Sequence, residues 1–384
     1  MERTDRRYEV DWLRILLILS VFIFHIGMFF NTFGWHVKNN VQTTDLNALM
    51  SFLHIWRMPL LFFISGAGTC FALGNKSLGR YASERNRRLM IPFLFGIFTL
   101  VPIQVYLEKV DQYSSLLDFY THMFEGTYPE GNMSWHHLWF ILYLFFISMV
   151  AIPVISWLRS TNAASFFTFV DKLVSKKGGL LLLVIPILIS QLILRPHFPN
   201  STHGFVDDWA YMALYFIFFI YGFIFAKSKM FAQNLIKQRY INLIAAIVAT
   251  VLLFSRNYIS ENDMWQNYSY LLTSILVAWF VGLAALGFSF KYLNFNSKFR
   301  KYANEAIYPF YLLHQPIILL IGFYMKDLEM SIALKAFYLT SLSLVASIGI
   351  YVFLIRPFNC MRIVFGLKAR KKEQLQVKVI PTKS

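Results

Sequence analysis

Apolar runs of about 20 residues recur ten times along this chain, and that recurrence limits its fold more than any other feature. They lie near residues 12–32, 53–73, 89–107, 137–157, 179–195, 209–226, 240–255, 268–290, 305–325 and 332–355. A run of that length crosses the bilayer hydrocarbon as a helix, because a helix satisfies its own backbone N–H and C=O groups where no water is present. With 57% hydrophobic and 15% charged residues, the 384-residue chain has too little polar surface for a soluble fold of this size. The expected fold is all-α: a polytopic integral membrane protein of about ten transmembrane helices, embedded in the lipid bilayer.

Basic residues alternate along the same runs. The N-terminus, the even-numbered loops and the C-terminal tail hold 28 of the 36 Lys and Arg, the odd-numbered loops and their flanks hold seven, and Arg14 is the remaining one. Acids run the other way, twelve of twenty lying on the odd-loop side. The positive-inside rule then places both termini in the cytoplasm. The net charge of +16 is thereby explained by topology, and no nucleic-acid partner is expected. The expected domains are a membrane unit over residues 1–355 and a short basic tail over 356–384, whose KARKKEQ segment suits anionic headgroups. Arg6 and Arg7 before the first run superficially suggest a secretory signal. The run is too long and lacks a small-x-small cleavage site, so a retained first helix is expected. Cys70 and Cys360 alone build neither a disulfide framework nor a thiolate metal site, and no metal is expected.

Ionisable residues inside apolar runs are costly and mark sites. In the first run Arg14 and His25 are eleven residues apart, so their side chains leave a helix about 20° apart around its axis and roughly 16 Å apart along it. Asp11, three residues before Arg14, can pair with it and hold it near the inner boundary. Arg14 can instead snorkel to headgroups, and His25 can be a satisfied core histidine. Against that, an imidazole with an ordinary pKa near 6.5 suits a general base. Before the third run, ERNRRLMIPF places Arg85 and Arg88 one turn apart, two guanidinium forks suited to phosphate but also ordinary in an inner loop. HHLWFI opens the fourth run with His137 and Trp139, which read either as acceptor-side groups or as interfacial anchors. In the ninth, YPFYLLHQP sets Tyr311 three residues before His314 as a polar pair at mid-depth. His36 lies eleven residues beyond His25, on the same face if the first helix continues. The outer loop 108–136 mixes Glu108, Asp111, Asp118, Glu125 and Glu130 with Tyr113, Tyr120, Tyr128 and Trp135, as a carbohydrate-facing surface or a plain solvated loop would. No serine-nucleophile elbow, zinc-protease helix or nucleotide-binding loop occurs.

Several of these motifs, in this order, resemble the membrane-bound acyltransferase 3 family: D-x-x-R-x10-H (Asp11, Arg14, His25), FFISG (Phe62 to Gly66), R-x-x-R (Arg85, Arg88), HLWF and FYLLHQP. MPLLFFISG, the outer WHV and the late His-Gln-Pro look most like the branch of glucan biosynthesis protein C, glucan succinyltransferase-like proteins. The resemblance implies an O-acyltransferase with no bound cofactor. It would move an acyl group, succinyl or acetyl, from a cytoplasmic acyl-CoA donor to a hydroxyl of an extracytoplasmic glycan. It also implies a bacterial inner (cytoplasmic) membrane. Many relatives carry a fused extracytoplasmic hydrolase-like domain; here the membrane unit is expected to complete the transfer. In that scheme His25 is the base, and Arg14, oriented by Asp11, stabilises negative charge. Arg85 and Arg88 take the donor phosphates, His314 and Tyr311 bind the acyl group or the oxyanion, and His137, Trp139 and His36 guide the acceptor. A proton-coupled transporter or exporter using the intramembrane Arg and His is the alternative, and a lipid-modifying protein without a thioester donor is a third.

Overall fold

The computed structural model describes residues 7–228, 230–259 and 263–370. It is helical throughout, with no strand among the described residues beyond two isolated bridges. In chain order the helices are α1 (Tyr8–Phe30), α2 (Asn47–Leu73), α3 (Leu78–Thr99), α4 (Val101–Glu108), α5 (Leu116–Thr121), α6 (Trp139–Val150), α7 (Ile152–Arg159) and α8 (Ala164–Ser175). They continue as α9 (Gly179–Leu182), α10 (Ile185–Leu194), α11 (Trp209–Lys227), α12 (Phe231–Ile259), α13 (Asp263–Tyr292), α14 (Lys298–Met325), α15 (Ile332–Ile350) and α16 (Asn359–Val364). The end carrying residue 8 and the even-numbered loops is the inner end.

Among the described residues, eight helices are long and apolar enough to cross a membrane, and α6 with α7, bent by 49°, makes a ninth if the pair is one span. The run at 179–195 becomes the short pair α9 and α10, below the length of the other spans. Proline accounts for both interruptions. Pro153 and Pro186 sit in the first turns of α7 and α10, where the missing N–H costs nothing but the preceding turn cannot continue.

The core is built around α1, which packs against α14 and α2, while α2 runs along α11. The FFISG motif has a packing reason: a Cβ on Gly66 would stand 1.8 Å from the Phe219 carbonyl, and one on Gly222 the same distance from the Phe63 carbonyl. Two backbones approach that closely only through glycine. In α12 and α15 most of the apolar span faces outward, with 22% and 28% buried, as lipid-facing helices require. At the outer end of α1 the Lys38 ammonium donates to the carbonyls of Met28 (2.6 Å), Asn31 and Phe33 (2.9 Å). It caps the helix and fixes the loop after it. The first part of the tail folds back: Phe365 is buried against Phe95 and Arg362 pairs with Glu305 at 2.8 Å. Residues 371–384, with the end of the KARKKEQ segment, lie outside the described residues.

Candidate active site

A cavity of about 580 Å³ occupies the outer half of the bundle, its wall including His25, His54, Arg57, Trp139 and His203. A second cavity, about 200 Å³, occupies the inner half and is lined by Arg14, Arg85, Arg88, Asn304 and Tyr308. Tyr311 lines both, so one side chain stands in the wall between them. Arg88, Asn304 and Tyr308 also face a third space of about 930 Å³, closed by residues 362–369 of the folded-back tail.

His25 lies five residues from the outer end of α1, nearer that end than the middle of the span. Its Nδ1 is 2.9 Å from His314 Nε2, with the rings 9° from parallel. His314 Nδ1 in turn lies 2.6 Å from the Tyr311 carbonyl oxygen. A carbonyl only accepts, so His314 Nδ1 carries the hydrogen and its Nε2, in the neutral ring, accepts. His25 Nδ1–H must then be the donor, which leaves the lone pair on His25 Nε2. His314 is fully buried while His25 is only half-buried on the cavity wall. The later histidine therefore orients the earlier one, a different placement from the acyl or oxyanion role read from the sequence.

Tyr311 also differs from expectation. Its hydroxyl donates to the His137 carbonyl rather than pairing with the His314 ring, whose hydrogen bond goes to the Tyr311 main chain. His137 is buried, with Nε2 donating to the Leu312 carbonyl at 3.1 Å, so the turn before α6 is tied to α14. Trp139 is stacked on His203 at 4.1 Å in the cavity wall. His36 reaches the same cavity by a loop, because α1 ends at Phe30 and the helical face does not continue to it. There it lies 2.9 Å from Glu108.

At the inner end Arg14 and Asp11 form the expected ion pair, at 3.7 Å, but Asp11 is also held by Arg300, a buried residue of α14 absent from the sequence reading. Arg14 Nη1 further donates to Asn304 Oδ1 at 3.2 Å, turning the guanidinium into the inner cavity. Arg85 is anchored by Tyr81 at 3.2 Å and by Thr69, with Arg88 on the same wall. Arg14, Arg85 and Arg88 come from two helices far apart in sequence, and the fold brings all three to one space.

Arg57 was hidden among the seven basic residues counted at outer flanks. It is 4% exposed, its Cζ sits 3.4 Å from the centroid of the Phe24 ring, and its Nε and Nη1 have no hydrogen-bond partner among the described residues. A buried guanidinium beside a cavity, with donors unspent, is set to receive an anion. An arginine four residues inside a run was the signal that charge counting absorbed.

A sequence model described as an acyltransferase domain, the acyltransferase 3 family, matches residues 7–356. The chain is 25% identical over 332 residues to Glucans biosynthesis protein C of Salmonella heidelberg (strain SL476), covering 83% of this chain and 84% of that protein. Over 344 residues it is 24% identical to the protein of that name from Salmonella agona (strain SL483), with the same coverage. No solved structure matches.

Proposed function

The chain belongs to the acyltransferase 3 family and is an integral membrane acyltransferase of the non-aminoacyl kind, and we propose that it carries an acyl group from an acyl-CoA donor at the inner end to a glycan hydroxyl at the outer end. The observation that carries this reading is the open Nε2 of His25, its tautomer set by His314 and the Tyr311 carbonyl, in a cavity that shares Tyr311 in its wall with an arginine-lined one. The inner membrane of a bacterium is the matching location. No tightly bound cofactor enters the transfer itself, and the thioester donor is a substrate.

Arg85, Arg88 and Arg14 take the donor's phosphates, for which three guanidinium groups at one cavity are suited. The pantetheine arm then passes Tyr311. At the outer side the glycan hydroxyl attacks the thioester carbonyl while its proton moves to His25 Nε2. His25 becomes an imidazolium whose Nδ1–H still donates to neutral His314. When the tetrahedral intermediate collapses the C–S bond breaks, and the sulfur leaves as a thiol with the proton returned from His25. The products are an ester and free coenzyme A. His137 and Trp139 shape the acceptor side.

Between the two acyl groups, Arg57 favours succinyl, because a terminal carboxylate gives its unspent donors a partner that acetyl lacks. The test uses purified protein in vesicles with isotope-labelled succinyl-CoA or acetyl-CoA outside the inner face and an oligosaccharide on the other side. Label should appear in ester linkage on the glycan, more from succinyl-CoA, with Arg57→Met removing about 1–3 kcal/mol of that preference. Solute flux with no labelled ester would overturn the reading in favour of a transporter.

A further inference from the structure

Three residues at the outer rim serve no step above. His36 lies in the loop after α1, Glu108 ends α4, and His136 precedes α6. His36 Nδ1 is 2.9 Å and His136 Nε2 is 4.0 Å from the same Glu108 Oε2, and the three ligand atoms all fall within 4.8 Å of one another. The two imidazoles lie side by side, 4.1 Å apart and 10° from parallel, so their nitrogens emerge toward one carboxylate.

His136 supplies the independent sign of a ligand. Its side chain is 1% exposed, yet Nε2 has no hydrogen-bond partner among the described residues. The other nitrogen, Nδ1, is held by Ser134 Oγ at 2.6 Å, which fixes the ring with Nε2 aimed at the cluster. Its backbone sits at φ 38°, a left-handed conformation uncommon for a residue with a side chain and held where the surroundings over-determine it. On the acid, the second oxygen accepts from the Tyr128 hydroxyl at 2.9 Å, leaving Oε2 for the two histidines. Hydrogen bonds such as those between Ser134 and the histidine and from Tyr128 to the carboxylate are what orient metal ligands.

We propose that His36, Glu108 and His136 bind one divalent transition cation of the zinc class. Two imidazoles with one carboxylate suit zinc and disfavour calcium or magnesium, which take oxygen ligands. With bonds of about 2.0–2.2 Å to a tetrahedral ion, ligand atoms stand about 3.3–3.6 Å apart, so His36 and Glu108 must open slightly from 2.9 Å and His136 must close from 4.0 Å, changes that side-chain rotation supplies. Three protein ligands leave a fourth position, and His36 and His136 both line the outer cavity, so that position faces the space where an acceptor enters. The ion would also tie the loop after α1, the end of α4 and the start of α6 into one rim.

The site is read without acyl transfer, so it stands or falls apart from the proposed activity. Full-length protein in detergent is stripped with a chelator, loaded with Zn²⁺, desalted and assayed for metal per chain. About one zinc per chain is expected, reduced at least fivefold in His136→Ala and Glu108→Gln. It should be unchanged in His122→Ala, which alters an exposed His–acid cluster with Asp118 and Glu125. Equal retention in His136→Ala and the parent, or no retained zinc in the parent, would overturn the proposal. Should either variant misfold, Co²⁺ in the parent protein decides. An intense visible spectrum of a four-coordinate N/O site supports the site, and the weak spectrum of aqueous Co²⁺ refutes it.

Discussion

The two halves of the bundle are lined by different chemistry. The outer cavity is walled by imidazoles and aromatic rings whose roles depend on direction: which nitrogen carries hydrogen, which ring stacks on which. Its inner counterpart is walled by guanidinium groups held by an amide, hydroxyls and a carboxylate, where charge and reach matter more than tautomer. On the proposed reading the first carries the proton transfer and the second holds the donor's anionic groups. On that reading the chain separates binding of a charged carrier from chemistry on its cargo, with Tyr311 in the wall that both cavities share.

Loss of the base should separate the halves most sharply. His25→Ala is expected to lower kcat by about 10²–10⁴ while leaving acyl-CoA affinity within twofold, measured by steady-state transfer and by direct binding. A parent-like kcat would dissolve the distinction. His314→Gln keeps a hydrogen-bonding side chain but loses the fixed ring, so kcat should fall less, by about tenfold, with a shifted pH–rate profile. An unchanged profile would assign His314 to packing alone. On the inner side Arg88→Ala should raise KM for the donor by about tenfold, the worth of a charge-assisted hydrogen bond, with KM for the acceptor unchanged. The opposite split would move the donor to the other cavity.

The smallest effect concerns the outer rim's response to pH. Asp208, just before α11, is buried and pushed up to about 7, mainly by burial, while it accepts from the Tyr143 hydroxyl at 2.9 Å. A carboxyl whose folded pKa exceeds its unfolded value stabilises the fold fully below the unfolded value and loses that contribution as pH rises through the folded one. Warming curves should therefore show the parent losing about 2–4 °C between pH 5 and pH 8 relative to Asp208→Asn. Parallel curves for the two proteins would contradict the assignment.

Much of this was legible in the residues. Hydrophobic runs place the helices because hydrocarbon leaves the backbone no other partner, and the eleven-residue spacing puts Arg14 and His25 on one helix in different halves. Pro153, Pro186 and Pro309 all stand inside apolar runs as kink sites, but which of them ends a helix was not legible there: the first two do, whereas α14 continues through Pro309. Arg57 was counted as topology, and its place against Phe24 beside the cavity became visible only in the packing of α2.

The sequence by itself determined a bundle of membrane helices, its family and the residues too costly to bury without purpose. Only the tertiary structure decided how they pair. His25 and His314 are 289 residues apart, and periodicity gives the face of a helix, never the partner across it. The proton's position on His25 follows from a main-chain carbonyl at Tyr311, an acceptor every residue carries and no pattern of side chains reveals.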